Sequence, residues 1–297
     1  MSRALLLVSL LISLLGVVDA ARADLRLVHS ERSLYREVLV YENGETRCMC
    51  FTRNCRVGRQ SCLDTRHPDK MVMRYPQMMM GALFVNPQPQ SILIIGLGGG
   101  TLPRALRQVL PNARIDVVEI DPAVVQVAKR YFDFKPSDLT RVIESDGRVY
   151  VKRAQRTGQH YDLIMLDAFD HEYIPEHLLT REFLLEVKSL LTPQGVLAAN
   201  TFSSSRLYEH ESVTYEAAFG KFYNLKRDNR VIIAQLGALP EAPRLRTTAA
   251  QFADAFDGFG FSAAELLPLF TQERDWDPKA RVLTDQYSPA NLLNLER

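Results

Sequence analysis

The chain has 297 residues, of which 46% are apolar and 24% charged, and its formal net charge is +1. That composition supplies a sizeable buried core and excludes an intrinsically disordered chain. With no long basic run, it also excludes the electrostatic footprint of a nucleic-acid partner.

Residues 1–23 differ in kind from the rest. Arg3 makes the start positive, residues 4–18 are almost wholly apolar, and Ala21-Arg22-Ala23 has the small-x-small form that signal peptidase cuts after. The segment reads as a secretory signal. The alternative is an uncleaved membrane anchor, although ~15 apolar residues fall short of the ~20 that cross a bilayer comfortably. In both cases the body is expected to be exported, periplasmic or secreted, with membrane contact only if the segment is retained.

Residues 24–74 are expected to form a small β domain. Glu42-Asn43-Gly44-Glu45 lies between β-rich runs, a hairpin signal. The four cysteines, Cys48, Cys50, Cys55 and Cys62, all fall here. An even cluster in an exported chain reads as a disulfide set, and the spacings do not match the C-x2-C pairs of zinc sites. The pairing stays open. Next, Met78, Met79 and Met80 before Gly81 begin a buried helix, read as core packing.

Residues 75–297 alternate between strand and helix. Ile92-Leu93-Ile94-Ile95, ended by Gly96, is the continuous apolar run of a strand buried on both faces. A helix is expected over 102–110, a strand over 115–119 and a helix over 122–132 with Pro122 in its first turn. Then come a strand over 141–143, a helix over 149–154, a strand over 161–166 and a helix over 181–191 ended by Pro193-Gln194-Gly195. A fifth strand covers 196–200. A helix, a strand over 231–235, a Pro-rich turn and a helix near 248–256 complete the chain. This rhythm predicts an α/β fold, a doubly wound and mostly parallel Rossmann-like sheet with the small N-terminal β lobe attached.

In such a sheet, ligands bind beyond the carboxyl ends of the strands. After the first comes Gly96-Leu97-Gly98-Gly99-Gly100-Thr101, whose Gly96, Gly98 and Gly100 let the backbone approach a nucleoside at a helix N-terminus. After the second, Glu119 is placed about 20 residues on to accept hydrogen bonds from ribose hydroxyls, and Asp121 before Pro122 reads as a helix N-cap. After the third, Asp146-Gly147 suits either an adenine amino group or a capping turn. After the fourth, Asp167 and Asp170 suit binding a cationic amine and removing its proton, against the alternative of a solvated loop with an N-cap. The histidines show no ligand spacing, so no metal is expected; only His171 is expected near the site.

These motifs in this order, Ile-Leu-Ile-Ile-Gly-Leu-Gly-Gly-Gly-Thr-Leu, Val-Val-Glu-Ile-Asp-Pro, Asp-Gly-Arg, Leu-Asp-Ala-Phe-Asp and Leu-Thr-Pro-Gln-Gly-Val, resemble the spermidine synthase (polyamine aminopropyltransferase) family. The resemblance covers roughly residues 75–200. Gln60-Ser61, Tyr75 and Leu283-Thr284-Asp285-Gln286-Tyr287-Ser288-Pro289 are similar to its bacterial spermidine-synthase-like subgroup. It implies a class I methyltransferase-type Rossmann domain behind a small β domain. It makes Glu119 the ribose ligand, Asp146 with Gly147 the adenine ligand and Asp167 the proton acceptor, with Asp170, Tyr75 and Gln60 as substrate-binding residues. The co-substrate would be decarboxylated S-adenosylmethionine, the partner a polyamine or other small amine, and a homodimer is a candidate assembly.

Two departures stand out. The family's aspartate within the glycine loop is absent, its place falling at Gly98 or Gly99, and the Asp-x-x-Asp is followed by His171 and Glu172 instead of Pro. A plain G-x-G-x-G loop is shared by methyltransferases that use intact S-adenosylmethionine, so methyl transfer to an amine or protein is the second reading. A non-catalytic nucleoside-binding protein is the third. A nicotinamide-dependent oxidoreductase is disfavoured because Thr101 fills the slot of the third small residue.

Overall fold

The computed structural model describes residues 25–56, 58–169, 174–201, 203 and 206–295. Residues 1–23, the segment expected to direct export, fall outside them, as do Asp170, His171 and Glu172. Among the described residues, no helix is long and apolar enough to cross a membrane.

The N-terminal lobe is an antiparallel meander of β1 (Arg26–Arg32), β2 (Glu37–Asn43), β3 (Thr46–Cys50) and β4 (Arg59–Asp64). Asn43 pairs with Thr46, so the hairpin turns on Gly44-Glu45, and Gly44 takes the positive φ of 59° that the first turn position needs. Both cysteine pairs are disulfides. Cys48 and Cys62 face each other across β3 and β4, while Cys50 and Cys55 close the loop beyond β3. Alternation along β2 gives the lobe two apolar faces. Leu39 and Tyr41 pack with the cystines, whereas Val38 and Val40, with Met49 and Leu63, pack onto Ala123, Val124, Val127 and Phe132 of the larger unit.

Beyond α1 (Arg74–Met80) and α2 (Ala82–Val85) runs the α/β succession. It comprises β5 (Ser91–Ile95), α3 (Thr101–Val109), β6 (Arg114–Glu119), α4 (Pro122–Tyr131), β7 (Thr140–Glu144), α5 (Gly147–Arg156) and β8 (Tyr161–Leu166). It continues with α6 (Arg181–Ser189), β9 (Leu191–Thr201), α7 (Arg206–Phe219), β10 (Tyr223–Lys226) and β11 (Arg230–Gln235). Short helices α8 (Ala242–Ala250), α9 (Ala253–Gly258), α10 (Ala263–Leu266) and α11 (Ala290–Leu295) follow. The strands form one seven-stranded sheet in the order β10-β11-β9-β8-β5-β6-β7, parallel except where β11 runs antiparallel between β9 and β10. Strand β5 shows why its run of four apolar residues is continuous. Ile92 and Ile94 enter the core with Met78 to Phe84, while Leu93 and Ile95 enter the opposite core with Tyr150, Val151 and Phe183.

Four expectations need correction. Met78 to Met80 close helix α1, which starts at Arg74, and do not begin a helix. Strand β9 begins at Leu191, not 196: Tyr161 pairs with Leu191 and Leu163 with Val196, so residues 192–195 are an excursion within the strand, not a helix end. The C-terminal helix expected near 248–256 is two helices, α8 and α9, separated at residues 251–252. Strand β10 is additional; four residues with Asn224 and Lys226 among them carry too little apolar signal to be read as a strand.

Candidate active site

The chain runs outward from β5 to β6 and β7, then returns to the other side of β5 for β8 and β9. The reversal opens a crevice between the tips of β5 and β8, where ligands collect in open α/β sheets. Backbone hydrogen bonds continue one residue past the strands and hold those tips in register. The Gly96 N–H donates to Val118 O (2.8 Å), Asp167 N–H to Ile95 O (2.8 Å) and Ser145 N–H to Glu119 O (3.0 Å).

A cleft of about 260 Å³ opens there. Its floor is Gly96, Gly98, Glu119, Asp146, Gly147 and Asp167, and Gln60 and Tyr75 border it. These eight sequence-derived residues therefore meet at one place, joined by Tyr35, Arg36 and Phe51 of the β lobe and by Pro175, His177 and Leu178 of the loop after β8. The lobe reaches the site because its Val38–Met49 face is packed on α4, which starts directly beyond the tip of β6.

Gly96 has φ of 99°, and a Cβ there would run into the Asp167 carbonyl, so only glycine permits β5 and β8 to abut at the reversal. Gly98 and Gly99 lie against Ser61 of β4, whose hydroxyl oxygen accepts from Gly99 N–H at 2.8 Å. A side chain on Gly99 would also meet the Phe132 ring, so the place of the missing loop aspartate is filled by Ser61 and Phe132. Gly100 stands behind the cleft and makes room for Phe134.

Glu119 is 9% exposed, and burial raises its pKa. Each carboxylate oxygen accepts one backbone N–H, from Leu97 (2.9 Å) and Asp121 (3.0 Å). The second lone pair of each oxygen remains for hydroxyls in the cleft. Asp121 caps α4 through Ala123 N–H (2.9 Å), as its position before Pro122 suggested. Asp146 is likewise a cap: one oxygen accepts from Val149 N–H (2.9 Å), and the other lies 2.9 Å from His177 Nε2, which holds the carboxyl below its usual range. His177, which the sequence reading left away from the site, is thus a histidine at the cleft, whereas His171 lies outside the described residues.

Asp167 is the most perturbed acid of the site. Removal from water pushes its pKa up to about 7, helped by the charge of Glu119. Hydrogen bonds from Asn200 Nδ2 (3.0 Å) and the Tyr75 hydroxyl pull the other way. A carboxylate titrating near neutrality, oriented by two donors and open to a cleft, is suited to take up a proton. Asn200 escaped the sequence reading, which stopped at the fourth strand tip; it is the next-to-last residue of the fifth. Tyr35, Arg36 and Phe51 carried no motif, because they come from a lobe whose docking is a long-range event.

The cleft gathers the glycine loop and the carboxylates of Glu119, Asp146 and Asp167 at the switch point of the sheet, a geometry beside which the similarities of the whole chain can be set. Residues 72–233 match the spermine/spermidine synthase domain. A polyamine aminopropyltransferase of Vibrio vulnificus is 48% identical over 293 residues, 97% of each chain. A probable spermidine synthase from Corynebacterium glutamicum superposes with a TM-score of 0.64 over 86% of this chain and 99% of that one, at 15% identity. Human methyltransferase-like protein 13, in complex with SAH, superposes with a TM-score of 0.55 over 74% and 100% at 26% identity. With the matched domain spanning more than half of its length and a relative alike from end to end, this chain belongs to the spermine/spermidine synthase family.

Proposed function

We propose that this protein transfers an aminopropyl group from decarboxylated S-adenosylmethionine to a polyamine. The observation that carries the reading is Asp167, raised to about 7 and held by Tyr75 and Asn200 at the edge of the nucleoside cleft. Glu119 accepts hydrogen bonds from the ribose hydroxyls, while Gly96 and Gly98 leave room for the sulfonium and its aminopropyl chain. The wall of Asp146, Gly147, Pro175 and Leu178 encloses the base. The amine nitrogen attacks the propyl carbon next to the sulfonium; the new C–N bond forms as the C–S bond breaks, its electron pair leaving on sulfur as 5′-methylthioadenosine. The proton lost by the nitrogen goes to the Asp167 carboxylate, so the attacking amine need not be neutral in bulk water. Asp170, three residues on, serves the remaining ammonium groups of the acceptor.

One observation favours a second reading, methyl transfer from intact S-adenosylmethionine. The loop holds no carboxylate for a terminal ammonium, since Ser61 and Phe132 fill that place, and the human methyltransferase shares the fold. The deciding experiment gives purified protein each donor with a panel of polyamines and identifies the nucleoside product. 5′-Methylthioadenosine supports aminopropyl transfer, S-adenosylhomocysteine supports methyl transfer, and binding without turnover of either leaves a nucleoside-binding role.

Export belongs to the same proposal. It is supported by the apolar segment before residue 24 and by the two disulfides, a state that persists in oxidising compartments. Fractionation of cells expressing the full-length chain tests it.

A further inference from the structure

The loop wall of the cleft, Pro175, His177 and Leu178, is backed by a stretch more than a hundred residues away. Ser288 Oγ donates to Glu176 O (3.0 Å), and the Asn291 side chain exchanges hydrogen bonds with the backbone of Ile174, accepting at 3.0 Å and donating at 3.1 Å. Asp285, in the Leu-Thr-Asp motif near the C-terminus, accepts from Thr180 Oγ1 at 2.7 Å, and its N–H donates to Glu182 Oε2 at 3.0 Å.

Arg148 links this strap to the site. It follows Gly147 directly, in the first turn of α5, and its side chain is only 12% exposed. Its guanidinium forks onto Asp285 (Nη1 to Oδ1 and Nη2 to Oδ2, both 2.7 Å) and onto Glu186 (Nε to Oε2 and Nη2 to Oε1, both 2.9 Å). The remaining Nη1 donor reaches the His177 carbonyl at 3.3 Å. All five donors are used, in the planar bidentate geometry that a lysine cannot reproduce.

Two cleft residues adjoin Arg148: Asp146, the N-cap of its own helix, and His177, whose carbonyl its guanidinium reaches; they are hydrogen-bonded to each other at 2.9 Å. Arg148 thus ties the loop residue of that pair to the helix that begins at the other. We propose that Arg148 and Asp285 are positioning residues for the nucleoside: the C-terminal strap, acting through the Arg148 fork, sets the spacing of the Asp146–His177 wall that receives the base. The kinetic arm of this idea rests on the aminopropyl-transfer reading; its binding arm needs only a nucleoside site.

The test uses the full-length chain carrying Asp285→Asn, Arg148→Lys or the conservative Asp285→Glu. Affinity for 5′-methylthioadenosine is measured by calorimetry, together with the KM of each substrate, kcat and Tm. Asp285→Asn and Arg148→Lys are expected to weaken nucleoside binding and raise the donor KM by about tenfold, with the amine KM unchanged and kcat within about twofold. Asp285→Glu should recover part of the loss. Folded variants that keep wild-type nucleoside affinity, or that raise both KM values equally, overturn the proposal. Should Asp285→Asn fail to fold, Arg148→Lys alone decides by the same criteria. A wild-type protein that binds the nucleoside without transferring an aminopropyl group removes the functional reading and leaves the strap to be judged by calorimetry.

Discussion

Replacing Asp167 by Asn should slow turnover severely and yet make the folded protein more stable at alkaline pH. The carboxyl has an ordinary value of 3.8 and titrates at about 7 in the folded chain, so the folded state binds its proton more tightly than the unfolded state does. The cost of the ionised group is absent below about pH 4, grows as the pH rises to about 7 and is constant above that. The sign is opposite to that of a salt-bridged carboxylate. At 1.36 kcal/mol per pH unit, the gap between the two values bounds the cost at roughly 4 kcal/mol, and contact with water in the cleft reduces it to about 1–3 kcal/mol. Asn keeps the size of the side chain and one acceptor oxygen but carries no charge. Thermal unfolding at pH 8 should therefore show Tm raised by about 2–8 °C, with the gain shrinking as the pH approaches 4. Over the same series kcat should fall by about 10²–10⁴. An Asn variant with full activity and an unchanged Tm at pH 8 would refute both the assigned base and the account of its pKa.

Tyr75→Phe retains the ring but removes a hydrogen bond to the ionised carboxylate, so the pKa of Asp167 should rise. The acid limb of the kcat profile, where Asp167 becomes protonated, should move up by about one pH unit, and an unmoved limb would free Tyr75 from that role. Gly96→Ala should destabilise the fold by about 3 kcal/mol or more, because the methyl group meets the Asp167 carbonyl and the residue keeps its φ of 99°; urea unfolding reads this directly. Opening both bridges with a dithiol should lower stability by at least the about 3 kcal/mol expected of the Cys48–Cys62 loop alone, and should weaken donor binding because β4 delivers Gln60 to the cleft and Ser61 to the glycine loop. Identical urea midpoints and donor KM values in the reduced and oxidised protein would show that the lobe holds its place without the bridges.

Much of the site was legible in one dimension because it is built from strand tips. In a parallel sheet a run such as Ile92 to Ile95 announces its own end, and the residue after that end is at the ligand edge whatever the rest of the chain does. Gly96 and Asp167 follow from that rule alone, while Glu119 ends its strand and Asp146 stands two residues past the end of its own. What stays hidden has the same cause: Asn200 lies on a fifth tip that carries no motif, and Pro193-Gln194-Gly195 has the look of a helix end because nothing local reports that Tyr161 pairs with Leu191.

By itself, then, the sequence determined the order of strands and helices, the glycine loop, the acidic residues beyond the tips and the presence of a cysteine-rich β lobe. All of these depend on side-chain periodicity and backbone freedom within a few residues. Only the tertiary structure decided which cysteines pair, that the lobe docks on α4 to border the cleft, that His177 faces Asp146, and that Arg148 and Asp285 meet. Those outcomes depend on which distant surfaces bury each other, a property of the whole packed chain that no short window contains.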